Sequence, residues 1–452
     1  MRPVNKQSGL VLIAVLWVVV VLIVIAATVG RKSRLDSAVC LAGTEQLRCN
    51  WACRAGMETA IAVLNEDDRI SDSLTDLWSD NEADFNDIPL ERCSFTVKVV
   101  DEASKLNINT ATKEQLMQLD YMTEEIADAI KDWRDKDDEP TAGGAEEGYY
   151  RNLPYGYSIR NGPFKTIREL LLVKDVTEQL LYGEDTNFND KLDFNENDGD
   201  KSPPPDDADG VLDKGWIAYL TCYSYDRNVD AIGNERLNIN SADEEKLQQS
   251  LDISEGQAKW IVENRKDDGY KSIADLINSD SPKKPSEKSN KSKKSKKDSE
   301  SAVPLDMQTF SQIADKITTD KQQQVPGKIN INTASKVVLT ALMGEDESAQ
   351  SVAEAIVAYR ESLLFGMESI ADVLKAESVG ISQFKKIAPF ITTRSDVFII
   401  RCLSTADRGP VRGTTLQREV VVDRNSMPPK ILYQYQGAPP YLATANRNTN
   451  DE

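Results

Sequence analysis

The chain has 452 residues, a formal net charge of −20 and no histidine. Without histidine there is no Ser-His-Asp or Cys-His catalysis, no histidine-bearing zinc site and no imidazole pH switch. So acidic a chain is also a poor ligand for polyanions, because nucleic-acid affinity comes largely from Lys and Arg displacing counterions.

The N-terminus carries Arg2 and Lys6, then Gln7-Ser8-Gly9, then an unbroken apolar run from Leu10 to Val29. Twenty residues at about 1.5 Å each make about 30 Å of helix, enough to cross a bilayer. Ile25-Ala26-Ala27 offers a signal-peptidase site, and a plain signal anchor is a further reading. A basic leader ending in Gly and followed by an apolar helix resembles the type IV prepilin and pseudopilin leader. That resemblance implies cutting between Gly9 and Leu10 by a prepilin peptidase and methylation of the new amine. It also places the N-terminus in the cytoplasm, although Arg31, Lys32 and Arg34 follow the helix. Most such subunits have Glu at the fifth mature position, where this chain has Ala14. A buried carboxylate needs a partner, which in the family is the amine of the preceding subunit. A subunit with Ala14 fits the filament tip, where no subunit precedes it.

Helical character continues through Asn65, with Val39, Leu47, Trp51, Ala60, Ile61 and Leu64 as an apolar stripe. Glu66 to Glu91 reads as a loop and Ser94 to Val100 as a strand. Strand signals return at Asp396–Cys402, Gln417–Val422 and Ile431–Tyr435. The spacing predicts an α+β fold: a transmembrane and stalk helix with a pilin-like antiparallel sheet, interrupted by a large all-α insertion. The expected division is leader 1–9, membrane helix 10–29, and stalk with first strand 30–104. Helical repeats follow over 105–235, 236–280 and 305–395, with a linker at 281–304. C-terminal strands occupy 396–436, and a flexible tail 437–452.

The repeats are legible as a heptad: Lys105-Leu-Asn-Ile-Asn-Thr-Ala111, Arg236-Leu-Asn-Ile-Asn-Ser-Ala242 and Lys328-Ile-Asn-Ile-Asn-Thr-Ala334. Downstream, Ala127, Ile130 and Arg134 recur as Ala258, Ile261 and Arg265, and as Ala353, Ile356 and Arg360. Closing segments start at Phe164, Tyr270 and Met367. Asn-Thr or Asn-Ser should start each helix, with a capping box between Ser241 and Glu244. The pattern resembles the helix-hairpin-helix family, whose Gly-hydrophobic-Gly hairpin binds DNA backbone. Here the hairpins read Leu119-Asp-Tyr-Met-Thr, Leu251-Asp-Ile-Ser-Glu and Leu342-Met-Gly-Glu-Asp. They lack the glycine pair and add acids, so the fold is expected without nucleic-acid binding. The loop from Thr141 to Tyr150 has no metal or nucleotide signature.

Asp185 to Glu196 matches a twelve-residue calcium loop. Asp185, Asn187 and Asn189 take ligand positions one, three and five, Lys191 offers its carbonyl, Asp193 is ninth, and Glu196 closes. Asp190 replaces the usual Gly. Asp207, Asp209 and Asp213 repeat the middle of the pattern without its ends. All-oxygen ligands favour calcium, in a structural role; the alternative is an acidic, solvated loop. Ser281 to Ser301 is a Lys/Ser stretch expected to be disordered. Six cysteines permit disulfides in an exported body without defining a pairing.

Together these features resemble the minor pseudopilin K family of type II secretion (general secretion pathway protein K). The resemblance implies a non-enzymatic, single-pass inner-membrane subunit with a periplasmic body. It would cap the pseudopilus with minor pseudopilins I and J, resting on the secretion system's inner-membrane platform, with no nucleic-acid or small-molecule substrate. Two rivals are a membrane-anchored DNA-uptake receptor and an exported enzyme. The first requires a basic body and paired glycines, the second a convergent catalytic constellation.

Overall fold

The computed structural model describes residues 8–185, 187–277, 301–408 and 411–437. The basic leader residues Arg2 and Lys6, the Lys/Ser stretch Ser281–Glu300 and the tail from 438 lie outside the described residues. Helix α1 (Ser8–Glu66) starts as an exposed apolar rod and ends packed on a sheet. Its buried stripe is Cys49, Ala52, Cys53, Met57, Ala60 and Leu64, at helical spacing. The expected stripe was partly wrong: Val39, Leu47 and Trp51 are exposed, at 72%, 62% and 62%. Small side chains, rather than large ones, let the helix approach the strands. A Cβ at Gly56 would stand 2.7 Å from both Phe95 and Val97.

The stretch after α1, expected as loop alone, contains the short helix α2 (Glu82–Phe85), capped by Asn81, and strand β1 (Ile88–Leu90). Strands β2 (Cys93–Asp101), β3 (Val397–Arg408), β4 (Val411–Asp423) and β5 (Lys430–Gly437) complete an antiparallel sheet in the order 1-2-3-4-5. Phe95, Val97, Val99, Phe398, Ile400, Cys402, Val420 and Val422 face α1. Trp78 meets Phe398 edge-on at 5.0 Å. The six cysteines are all free thiols.

Between β2 and β3 the chain makes three hairpin units. The first contains α3 (Lys113–Leu116), α4 (Glu124–Arg134), α5 (Glu147–Arg151) and α6 (Glu178–Tyr182). The second contains α7 (Glu244–Leu251), α8 (Glu255–Glu263) and α9 (Met307–Ile313), and the third α10 (Lys336–Leu342), α11 (Ala349–Glu361) and α12 (Ile381–Ile387). Each opens and closes with a two-residue parallel clasp. Leu106-Asn107 lies on Leu220-Thr221, Leu237-Asn238 on Ile317-Thr318, and Ile329-Asn330 on Ile391-Thr392. Residues 305–318 therefore close the second unit, a correction to their expected place in the third. The acidic loop lies inside the first unit, within the expected 105–235 repeat.

The heptad recurs because each position does the same job three times. The second Asn brackets the closing segment: Asn109 Nδ2 donates to Phe164 O and its Oδ1 accepts from Phe164 N, at 3.0 and 2.7 Å. Asn240 does this to Tyr270, and Asn332 to Met367. Arg134, Arg265 and Arg360 donate to the carbonyls of Ala111, Ala242 and Ala334. The helix caps sit one residue past the heptad, at Thr112, Asp243 and Ser335. The expected Ser241–Glu244 box is therefore not formed: Ser241 Oγ donates to Asn238 O, and Asp243 accepts from Lys246 N. Hairpin turns place Tyr121, Asp252 and Gly344 at positive φ, where paired glycines were already missing from the sequence.

The first unit rests on the outer sheet face through Glu419. That carboxylate accepts from Arg401 and Arg168, both at 2.9 Å, and Arg168 also donates to Tyr433 and lies over the Tyr435 ring. Burial alone would raise Glu419, but the two guanidiniums outweigh it and hold its pKa at about 2. A depressed folded pKa gives stability that is present above the unfolded value near 4.5 and lost as pH falls toward 2. Glu419→Gln should therefore cost on the order of 3 kcal/mol at pH 7. The gap to the parent should narrow below pH 4.5 and close only as pH falls through about 2 in paired denaturation curves; a gap independent of pH would contradict this account.

Candidate functional site

Gly9 and Leu10 lie in the first turn of α1, and Ala14 is on its exposed apolar stretch. Val11 to Val29 projects free of the body, and one helix in the described chain, with mean hydropathy 3.2 in its most apolar window, is long and apolar enough to cross a membrane.

The acidic loop is organised by its own predicted ligands. Asp185, 3% exposed, accepts from the amides of Asn189 and Asp190, each at 3.0 Å. Asn187 and Asn189 both turn their side-chain amides on Asp193 Oδ2, at 2.7 and 3.0 Å. Asn189 Oδ1 accepts from Lys191 N, and Asp193 N donates to Glu196 Oε2. Glu196 is itself 1% exposed. Burial pushes the Asp185 carboxyl above its ordinary range, so an ion here would supply the charge that solvent does not. Asp190, standing where Gly is usual, adopts φ 57°. Burial works against its charge, yet Lys98 and Lys214 hold its carboxyl below the usual range and tie the loop to β2. Phe188 tucks under the Arg401 guanidinium at 4.2 Å. The donors these side chains can offer a cation are oxygens, the class that calcium takes, although Asn187 and Asn189 here turn their amide nitrogens toward Asp193.

The second cluster is built differently. Asp207 and Asp209 accept from backbone amides two residues on, at 3.0 and 2.7 Å, as turn-formers do. Asp213 accepts from Tyr121 Oη at 3.2 Å, its carbonyl accepts from Glu184 N, and its amide donates to Glu184 Oε2. The organiser is Asp206, which accepts from the amides of Asp198, Gly199 and Ala208. Neither Asp206 nor Glu184, raised by burial to about 6, stood out in the sequence. Their signal was the density of acids, with nothing periodic to single out two of them.

Residues 100–182 match the family model for type II secretion system (T2SS), protein K, and residues 325–392 match the helix-hairpin-helix motif. The type II secretion system protein K of Aeromonas hydrophila is 25% identical over 205 residues, 39% of this chain and 61% of that protein. The chain thus spans less than two thirds of the curated relative's length. A chain in the crystal structure of the GspK-GspI-GspJ complex from the enterotoxigenic Escherichia coli type 2 secretion system aligns at 12% identity. That alignment covers 90% of this chain and 99% of the other, with a TM-score of 0.45. The family-model match and the Aeromonas relative bear out the sequence resemblance to the K family.

Proposed function

We propose that this chain, a relative of type II secretion protein K, is a non-enzymatic minor pseudopilin that caps the pseudopilus tip and supports export across the outer membrane. The observation that carries the reading is α1: a free apolar rod of membrane-spanning length, continuous with a helix packed on an antiparallel sheet, in a chain with a protein K domain. Cleavage by prepilin peptidase after Gly9 leaves Leu10 as the N-terminus in the inner membrane, with the body in the periplasm. Ala14 offers no acid for a preceding subunit's amine, so the chain begins a stack. Exposed Leu47 and Trp51 leave an apolar side of α1 for neighbouring subunits, for which minor pseudopilins I and J are the partners. The secretion platform in the inner membrane is the base on which the assembly grows.

Affinity purification of the full chain from membranes of its secretion-competent host should recover those two minor pseudopilins at one copy each. Mass spectrometry should find a methylated N-terminal Leu10. An intact Met1, a cut near Ala27, or many copies along the shaft would reject this reading. The helix-hairpin-helix match favours a DNA-uptake receptor only in fold, since each hairpin turn carries an acid and lacks the glycine pair.

Calcium held by Asp185, Asn187, Asn189, Lys191, Asp193 and Glu196 would brace the first unit against β2, with Asp207, Asp209 and Asp213 alongside. Asp185→Ala with Glu196→Ala should abolish most of the calcium-induced rise in melting temperature; an unchanged response would reject this loop as a site.

A further inference from the structure

A different group of acids gathers where the sequence carried no signature. Asp132 and Asp135 lie at and just past the end of α4, and Glu146 precedes α5. One carboxylate oxygen from each lies within 4.8 Å of the others. Asp132 is fully buried and Glu146 is 6% exposed, yet both Glu146 oxygens and Asp135 Oδ1 have no hydrogen-bond partner. Glu146 stands at the N-cap position of α5 but makes no capping bond, so the carboxylate is turned away from the helix amides that would ordinarily satisfy it.

The intervening loop is shaped around this group. Thr141 donates to Asp132 through both its amide and its hydroxyl, the latter at 2.8 Å. Gly144 comes so close that a Cβ there would stand 1.9 Å from Asp132 Oδ2, which only glycine permits. The charges acting most strongly on Glu146 are those of Asp132, Asp135, Asp137 and Asp138, with no cation among them. Burying an unpaired carboxylate beside others of its sign is costly unless a cation joins them.

We propose that Asp132, Asp135 and Glu146 form a calcium site in the first hairpin unit, separate from the Asp185–Glu196 loop, which fastens the 135–146 loop to α4. Calcium–oxygen bonds of about 2.3–2.6 Å put ligands of one ion at most about 4.6–5.2 Å apart, so oxygens within 4.8 Å of one another can share it. Zinc usually takes nitrogen or sulfur ligands, which these three carboxylates do not offer.

The test is equilibrium dialysis of calcium against the full chain in detergent, with thermal melts in parallel. Glu146→Gln should bind one calcium fewer than the parent. The same decrement should appear when it is added to the Asp185→Ala, Glu196→Ala chain, so the two sites are read independently. Without calcium, Glu146→Gln should melt at or above the parent, because a strained acid has gone; with calcium the order should reverse. The half-exposed Asp135→Asn, which leaves the packing intact, should weaken this site at least about tenfold, the loss that even an outer-shell change produces. Unchanged stoichiometry in Glu146→Gln, or an equal calcium shift in parent and variant melts, overturns the proposal. Should Glu146→Gln not fold, undiminished binding by Asp135→Asn does so.

Discussion

Replacing Arg424 with alanine should destabilise the body by about 3–5 kcal/mol, the range for removing one partner of a buried ion pair. Arg424 is 2% exposed and joins four segments. Its Nη1 donates to Leu64 O at 3.3 Å and to Asp67 Oδ2 at 2.8 Å, and its Nη2 to Ser395 O at 3.0 Å and to Asp72. Its guanidinium also lies over the Phe398 ring at 4.7 Å. One side chain thus binds the end of α1, the loop after it and the start of β3 to the end of β4. Asp72, with no exposure, would be left without its counter-charge. Burial already pushes the Asp72 carboxyl up to about 8, and Arg424 is the main influence pulling the other way. Removing Arg424 raises the Asp72 carboxyl further, so parent and variant diverge only as pH rises through about 8, and the variant's deficit should be smaller at pH 6 than at pH 9. Paired chemical denaturation at the two pH values checks both the size and the sign.

The second large effect belongs to the heptad. Asn332→Ala should cost about 2–6 kcal/mol, because it strands the amide and carbonyl of Met367, each at about 1–3 kcal/mol where water cannot reach. Asn332 and Met367 are 2% and 1% exposed. Asn109 and Asn240 make the same pair of bonds from half-buried positions. Their alanine variants should lose less, and denaturation of the three should rank Asn332 first. Equal losses would mean that the bracket, and not its burial, sets the cost.

The heptad was readable because its residues repeat a geometry: the second Asn closes each unit, and a distant Arg satisfies the carbonyls around it. What escaped notice was short. Clasp partners of two residues have no periodicity, although Leu220-Thr221, Ile317-Thr318 and Ile391-Thr392 share a pattern. In each, the Thr hydroxyl accepts from the amide two residues on. The caps were misplaced because Asn, Ser and Thr are all plausible caps, and only the backbone decides among neighbours. Apolar size does not mark the buried stripe of α1, because close packing on the strands selects Ala, Cys and Gly. The predicted calcium loop stood out through its fixed spacing. The trio of Asp132, Asp135 and Glu146 is brought together by a loop whose path no spacing rule specifies.

The hairpin units leave the sheet after Asp101 and return at Val397, and Phe398 pairs directly with Asp101. Exit and re-entry are therefore adjacent rungs of one ladder, further tied by Asn330 Nδ2 and Ser395 Oγ donating to Asp101 Oδ2 at 3.0 and 2.7 Å. Helix α1 packs on strands that are joined from β2 to β3 directly, so a load on the helix would have a path through the sheet that bypasses the three units. The units leave and rejoin the sheet at one point of the ladder, so insertions within them would leave the pairing of β2 with β3 unchanged.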